Sequence, residues 1–126
     1  MFHFKKIERL CGYSIVNDLF AKGESFLIYP LSVHYNITKD YQPKVRILIV
    51  CPKRYQKLSV NRNKIKRLLR ESYRLNKNQL IDFSKSNNLS IDFSISYVSN
   101  QMMDYHLIEM KLKDVLVELE KRSNNQ

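Results

Sequence analysis

The sequence predicts an α+β fold, a two-layer sandwich with its elements in the order α-β-β-β-α-β-α. Three observations carry this expectation. Apolar residues recur at three- and four-residue spacing near 11–21, 59–80 and 103–121. They alternate with polar residues over 31–38 and 91–97. Residues 45–51 form a run rich in β-branched side chains that ends at Pro52. Helices gathered on one sheet make a sandwich rather than a regular alternating fold.

In order, Ile15, Val16, Leu19 and Phe20 mark the first helix, which Lys22-Gly23 stops. Phe26 to Tyr29 is continuously apolar, and beyond Pro30 the residues Leu31, Val33, Tyr35 and Ile37 share one side while Ser32, His34, Asn36 and Thr38 share the other. This is one strand or two. Asp40 to Lys44, with Pro43, reads as a turn before the strand Val45 to Cys51. The second helix runs from Ser59 or Asn61, either of which can cap it, to about Leu80. Ser84 to Ser90 is expected as a polar loop, Ile91 to Tyr97 as the last strand, and Met103 to Lys121 as the last helix. Glycine is limited to Gly12 and Gly23, and no linker or repeat interrupts the chain. A single domain over 1–122 with a frayed tail at 123–126 follows.

A chain of 126 residues with 44% hydrophobic and 11% aromatic residues can build one core and is no disordered basic tail. Its charge is unusual: 22 Lys and Arg against 12 Asp and Glu give +10. A polyanionic partner is implied, nucleic acid first and an anionic membrane surface second. The longest apolar run, Ile47 to Cys51, is far short of a membrane span, and Phe2 to Lys6 leads into no apolar signal region. Cys11 and Cys51 show neither zinc nor disulfide spacing. A cytoplasmic chain is expected.

The excess charge is local. Lys53, Arg54, Lys57, Arg62, Lys64, Lys66, Arg67, Arg70, Arg74 and Lys77 fall in one window whose single acid is Glu71. On a helical wheel Ile65, Leu68, Leu69, Tyr73 and Leu75 form a buried face, and Lys66, Lys77, Arg70, Arg74 and Arg67 form a basic stripe beside it. A merely solvated helix face interleaves acids for i,i+4 support, whereas this one offers Glu71 alone. Phosphate binding is the better account. Arg62 and Lys64 fall in the expected first turn, against the helix dipole, where a bound phosphate would offset the mismatch.

No constellation for chemistry accompanies the stripe. Asp18, Asp40, Asp82, Asp92, Asp104 and Asp114 are scattered over different elements, and His3, His34 and His106 are isolated. Neither catalytic residues nor metal ligands are assigned. The stripe has few Asn, Gln or Ser side chains to read bases, so DNA recognition ranks third, behind RNA binding within a processing enzyme and RNA binding as a non-enzymatic module such as a ribosome-associated protein.

Phe4-Lys5-Lys6-x-x-Arg9-Leu10, Leu19-Phe20-x-x-Gly23 and Asn61 to Arg74 together resemble the protein component of bacterial ribonuclease P. The resemblance keeps Arg62, Asn63, Ile65, Lys66, Arg67 and Arg70 of the family's basic motif, with Lys64 where the family has Arg; Lys53-Arg54 stands where it has a Lys pair. It implies a left-handed β-α-β crossover bearing that motif. It also implies that a large RNA subunit, which holds most of the magnesium, removes the 5′ leader from precursor tRNA. Implied partners are thus the catalytic RNA and precursor tRNA, with no membrane and no obligatory protein partner. By the same resemblance Lys53, Arg54, Arg62, Asn63, Lys64, Lys66, Arg67, Arg70 and Arg74 bind the RNA subunit. Phe20 would line a leader cleft with His34, unless register moves that role to Tyr35; Val16, standing where Phe is frequent, and Arg46 complete the set.

Overall fold

A computed structural model of the chain describes residues 19–21 and 23–124. Residues 19–21 are helical, the described end of α1. The remainder of the expected first helix, Val16 included, lies outside the described residues. There follow β1 (Glu24–Ile28), β2 (Leu31–Lys39), β3 (Val45–Val50), α2 (Ser59–Asn76), α3 (Asn78–Asn87), β4 (Leu89–Tyr97) and α4 (Tyr105–Asn124). The Phe26–Thr38 region is thus two strands, turning at Tyr29-Pro30.

The strands form one sheet in the order β1-β2-β4-β3. β1 pairs antiparallel with β2 and β2 antiparallel with β4, whereas β3 runs parallel to β4. A parallel pair needs a crossover, and α2 with α3 supplies it. Register assigns every strand residue to a face. Phe26, Val33, Ile95 and Ile49 are placed on one side, as are Tyr35, Phe93 and Ile47. That side packs on Ile65, Leu69 and Tyr73 of α2, Leu80 of α3, and Ile108, Leu112, Val115, Leu116 and Leu119 of α4. Tyr73 meets Phe93 edge-on, ring centroids 6.1 Å apart, at the centre of this core.

Four boundaries differ from expectation. The region expected as a loop from Ser84 is helical to Asn87, because α3 stops only where Asn88 takes the left-handed conformation (φ 52°) and donates its N–H to the Ser84 carbonyl. Asn tolerates that geometry, so no glycine marks the stop. The long helix is also divided at Lys77, where the Asn76 side chain donates to the Ser72 carbonyl and to Glu109 Oε2. Neither Ser59 nor Asn61 caps α2: the cap position is Leu58, with no side-chain hydrogen bond. At the far end α4 continues through Asn124, and Ser123, expected to fray, is buried with its hydroxyl donating to the Leu119 carbonyl.

Candidate nucleic-acid interface

The core-facing residues of α2 fix which cations reach solvent. With Ile65, Leu69, Ser72 and Tyr73 buried, the opposite face exposes Asn63, Lys64, Arg67 and Arg70 and half-exposes Lys66. Lys53 and Arg54 are exposed on the loop before the helix, Arg54 lying over the Tyr55 ring at 5.0 Å. That loop is held rigidly. Gln56, buried, donates to the carbonyls of Ser99 and Gln101.

Three cations of the basic window have other work. Arg62 directs Nη1 at the carbonyls of Gln56 (3.0 Å) and Lys57 (2.8 Å), so it closes the loop on which the N-terminus of α2 rests. Because α2 starts at Ser59, Lys64 falls in the second turn, and the dipole mismatch that remains, at Arg62, is offset by those carbonyls. Arg74 pairs with Glu71, whose carboxyl is held below its usual range chiefly by the Arg74 hydrogen bond. Lys77 is buried at the α2–α3 junction and leaves the stripe altogether. These placements depend on tertiary contacts that a helical wheel does not contain.

The other side of the sheet is polar along its two central strands, β2 and β4. Ser25, His34, Ser94 and Leu48 align across it in one row, and Leu27, Ser32, Ser96 and Val50 in the next. Phe20, from the end of α1, lies on this face with its ring 4.8 Å from that of His34. It is 41% exposed and therefore not a core residue. Gly23 makes the approach possible. Its N–H donates to the Leu19 carbonyl, and a Cβ there would sit 2.4 Å from that oxygen and 2.8 Å from the Tyr35 carbonyl oxygen.

Strand alternation decides between His34 and Tyr35. His34 faces Phe20, while the Tyr35 side chain is buried on the helix-covered side, where its hydroxyl donates to Glu24 Oε2 at 2.6 Å. Tyr35 is thus withdrawn from the aromatic pair. Arg46 does lie on the Phe20 side, but its Nε and Nη2 make two 2.8 Å bonds to Asp92, its neighbour in register. Phe20 and His34 come together there; Arg46 joins them as half of a neutral pair. Val16 is outside the described residues.

Sequence reasoning missed Ser94. His34 Nδ1 and Ser94 Oγ are buried with no hydrogen-bond partner among the described residues, and the two residues face each other across β2 and β4. Unspent polar capacity in a protein interior is costly and rare. The available signal was the polar half of the alternation Asp92, Ser94, Ser96, which has no reason to stay uniformly small on a merely solvated strand.

The described residues contain no group of three or more His, Cys, Asp or Glu able to hold a metal ion. Asp40 accepts from Gln42 N–H and the Ser90 hydroxyl, and Asp92 from Arg46. Burial pushes the Cys51 thiol up, against the pull of Lys66 and Arg62, which disfavours a thiolate nucleophile. This arrangement can bind and orient a polyanion through one face and pack a flat, uncharged group through the other.

A family model described as Ribonuclease P matches residues 4–120. The ribonuclease P protein component of Porphyromonas gingivalis is 31% identical over 120 residues, covering 94% of this chain and 87% of its own. That of Chlorobaculum tepidum is 38% identical over 73 residues, 55% of this chain and 47% of its own. Two solved structures share the fold. The RNase P protein of Staphylococcus aureus superposes with a TM-score of 0.70 at 22% identity over 90% of this chain and 96% of that one. The protein from Thermotoga maritima gives 0.69 at 23% over 88% and 96%.

Proposed function

The chain belongs to the ribonuclease P protein family, and from that premise we propose how its two surfaces divide the work. It is the protein subunit of the ribonucleoprotein endonuclease that matures the 5′ ends of tRNA, and its partners are the catalytic RNA and precursor tRNA. The enzyme is one that needs metal ions. In our reading Lys64, Lys66, Arg67 and Arg70, with Asn63, Lys53 and Arg54, contact phosphates of the RNA subunit. Arg62 sets the loop that presents them, and Arg74 contributes a charge already shared with Glu71.

The 5′ leader then lies on the polar face of the sheet. Phe20 stacks on a base, His34 backs the stack, and Arg46 with Asp92 supports the adjoining row. Val16 would extend the platform from α1. One observation carries the reading: exposed, unshared cations cluster on α2, whereas the centre of the sheet face bearing Phe20 and His34 is lined by the small polar side chains of Ser32, Ser94 and Ser96. Magnesium, held mainly by the RNA subunit, would supply charge stabilisation for phosphodiester hydrolysis. The described carboxylates of this chain do not fit a resident metal site. No described helix is long and apolar enough to cross a membrane, and the cytoplasm, where precursor tRNA is made, is the compartment this role requires.

Reconstitution tests the assignment. Added to a matching catalytic RNA at low magnesium, the protein restores leader cleavage, and Phe20→Ala loses that stimulation selectively on long-leader substrates. Copurification with ribosomal RNA and no stimulation of cleavage would instead identify a ribosome-associated binder.

A further inference from the structure

The leader face is supported from behind by a network that no role in RNA binding accounts for. Arg122, in the last turn of α4, donates from Nε to Glu118 at 2.9 Å and from Nη1 to the Tyr35 hydroxyl at 3.0 Å. Its guanidinium also lies over two rings, 4.7 Å from Phe26 and 5.6 Å from Tyr35. Tyr35 passes the connection on to Glu24. One guanidinium therefore joins the end of α4 to both strands of the β1–β2 hairpin, and β1 is an edge strand with β2 as its one neighbour in the sheet.

Tyr35 lies at a junction. Its side chain belongs to this network, its carbonyl oxygen is the surface against which Gly23 packs, and its preceding neighbour His34 holds Phe20 on the opposite face. The residue that anchors α4 on one side of the sheet thus fixes the stop of α1 and the height of the Phe20–His34 pair on the other. A stiff strand transmits this because side chains two faces apart share one backbone.

We propose that Arg122, Tyr35 and Glu24 are positioning residues for leader recognition, holding the Phe20–His34 ledge in its stacking geometry without touching RNA. The proposal rests on the leader reading of that ledge. Arg122→Met keeps an apolar stem over Phe26 and removes the charge; Tyr35→Phe keeps the ring and removes the hydroxyl.

The test uses the full chain reconstituted with its catalytic RNA and follows KM for substrates with long and with single-nucleotide leaders. Each variant raises KM for the long leader by roughly 2- to 30-fold, the range that remote positioning residues give. Affinity for the RNA subunit and cleavage of the short-leader substrate stay unchanged. Ile108→Val, a core change at the other end of α4, serves as the control for general loss of stability. In the free protein, the His34 ring resonances lose their Phe20 ring-current shift in Arg122→Met and keep it in Ile108→Val.

Unmoved His34 resonances together with unchanged leader discrimination in Arg122→Met would overturn the proposal while leaving the leader reading intact, provided Phe20→Ala impairs the long-leader substrate alone. An equal loss in Ile108→Val would overturn it in favour of plain stability. A loss confined to the long-leader substrate in Phe20→Ala is the premise; if that substitution impairs both substrates equally, or neither, the leader reading fails and the positioning role fails with it.

Discussion

The sharpest consequence of the α2 geometry concerns Lys64, Arg67 and Arg70, which are exposed and make no hydrogen bond or ion pair with any described residue. Replacing all three with Gln removes three charges and leaves the buried face of the helix intact. If each neutralises one phosphate, the slope of log K against log salt falls by about 2.1 to 2.7, at roughly 0.7 to 0.9 per contact. Between about 0.1 and 0.3 M monovalent salt the wild-type complex then weakens about 10- to 20-fold more than the variant does. The assay is a salt titration of binding to the isolated catalytic RNA, with thermal unfolding as a control. Exposed substitutions away from special contacts stay within about 0.5 kcal/mol in stability, so the unfolding midpoint should hardly move. Parallel salt lines for the two proteins would refute the argument, because a cation that meets phosphate must release counterions when it binds.

Four further outcomes follow from the same geometry. Phe20→Ala raises KM for long-leader substrates by about 5- to 150-fold, the loss of one base–aromatic stack of about 1 to 3 kcal/mol, and leaves leaderless substrates unaffected; competitive cleavage of the two measures it. Gly23→Ala forces a methyl group against two backbone oxygens, and urea unfolding should show a loss of about 1 to 3 kcal/mol. Arg62→Gln releases the Gln56–Lys57 loop, costing about 1 kcal/mol in urea unfolding, and reduces the salt slope by less than one contact. The Asp40 carboxyl is held below its ordinary range, first by the Gln42 N–H and then by the Ser90 hydroxyl. Its folded-state value is depressed, so the stability it confers is present at neutral pH and is lost as pH falls through that lowered value. The stability gap between wild type and Asp40→Asn should therefore close in acid; a gap independent of pH would contradict the assignment.

How far the sequence could be read is clearest at particular residues. The alternation from Leu31 to Thr38 already places His34 and Tyr35 on opposite faces, and the structure adds which face Phe20 occupies. A period of two needs no tertiary information, so the strands were legible. Lys77 and Arg62 were not. A wheel ranks side chains by angle alone, while the fate of these two depends on a helix break beside Asn76 and on a loop clamped by Gln56. The extension of α3 through Ser84–Asn87 was hidden for a related reason: its buried residues include a serine, whose hydroxyl bonds the Leu89 carbonyl, so apolar periodicity fades before the helix does. Ser94 was invisible as a candidate because its significance lies in the partner its buried hydroxyl lacks among the described residues.

The two surfaces also differ in the physics by which they can discriminate. Counterion release acts on any polyanion and depends on charge density, so the α2 face suits a large, structured RNA whose phosphates are fixed in space. It could not choose one single strand over another. Among the described residues the cation on this sheet face is Arg46, already paired with Asp92, which leaves stacking on Phe20 and directional polar contacts as its means of selection. Such contacts respond to base geometry and only weakly to salt. On the proposed division of labour, charge holds the protein on its RNA, and the nearly neutral sheet examines the leader without being saturated by the same electrostatic attraction. A sheet with one face committed to the core and the other left polar permits this separation, because β-alternation lets one strand serve both.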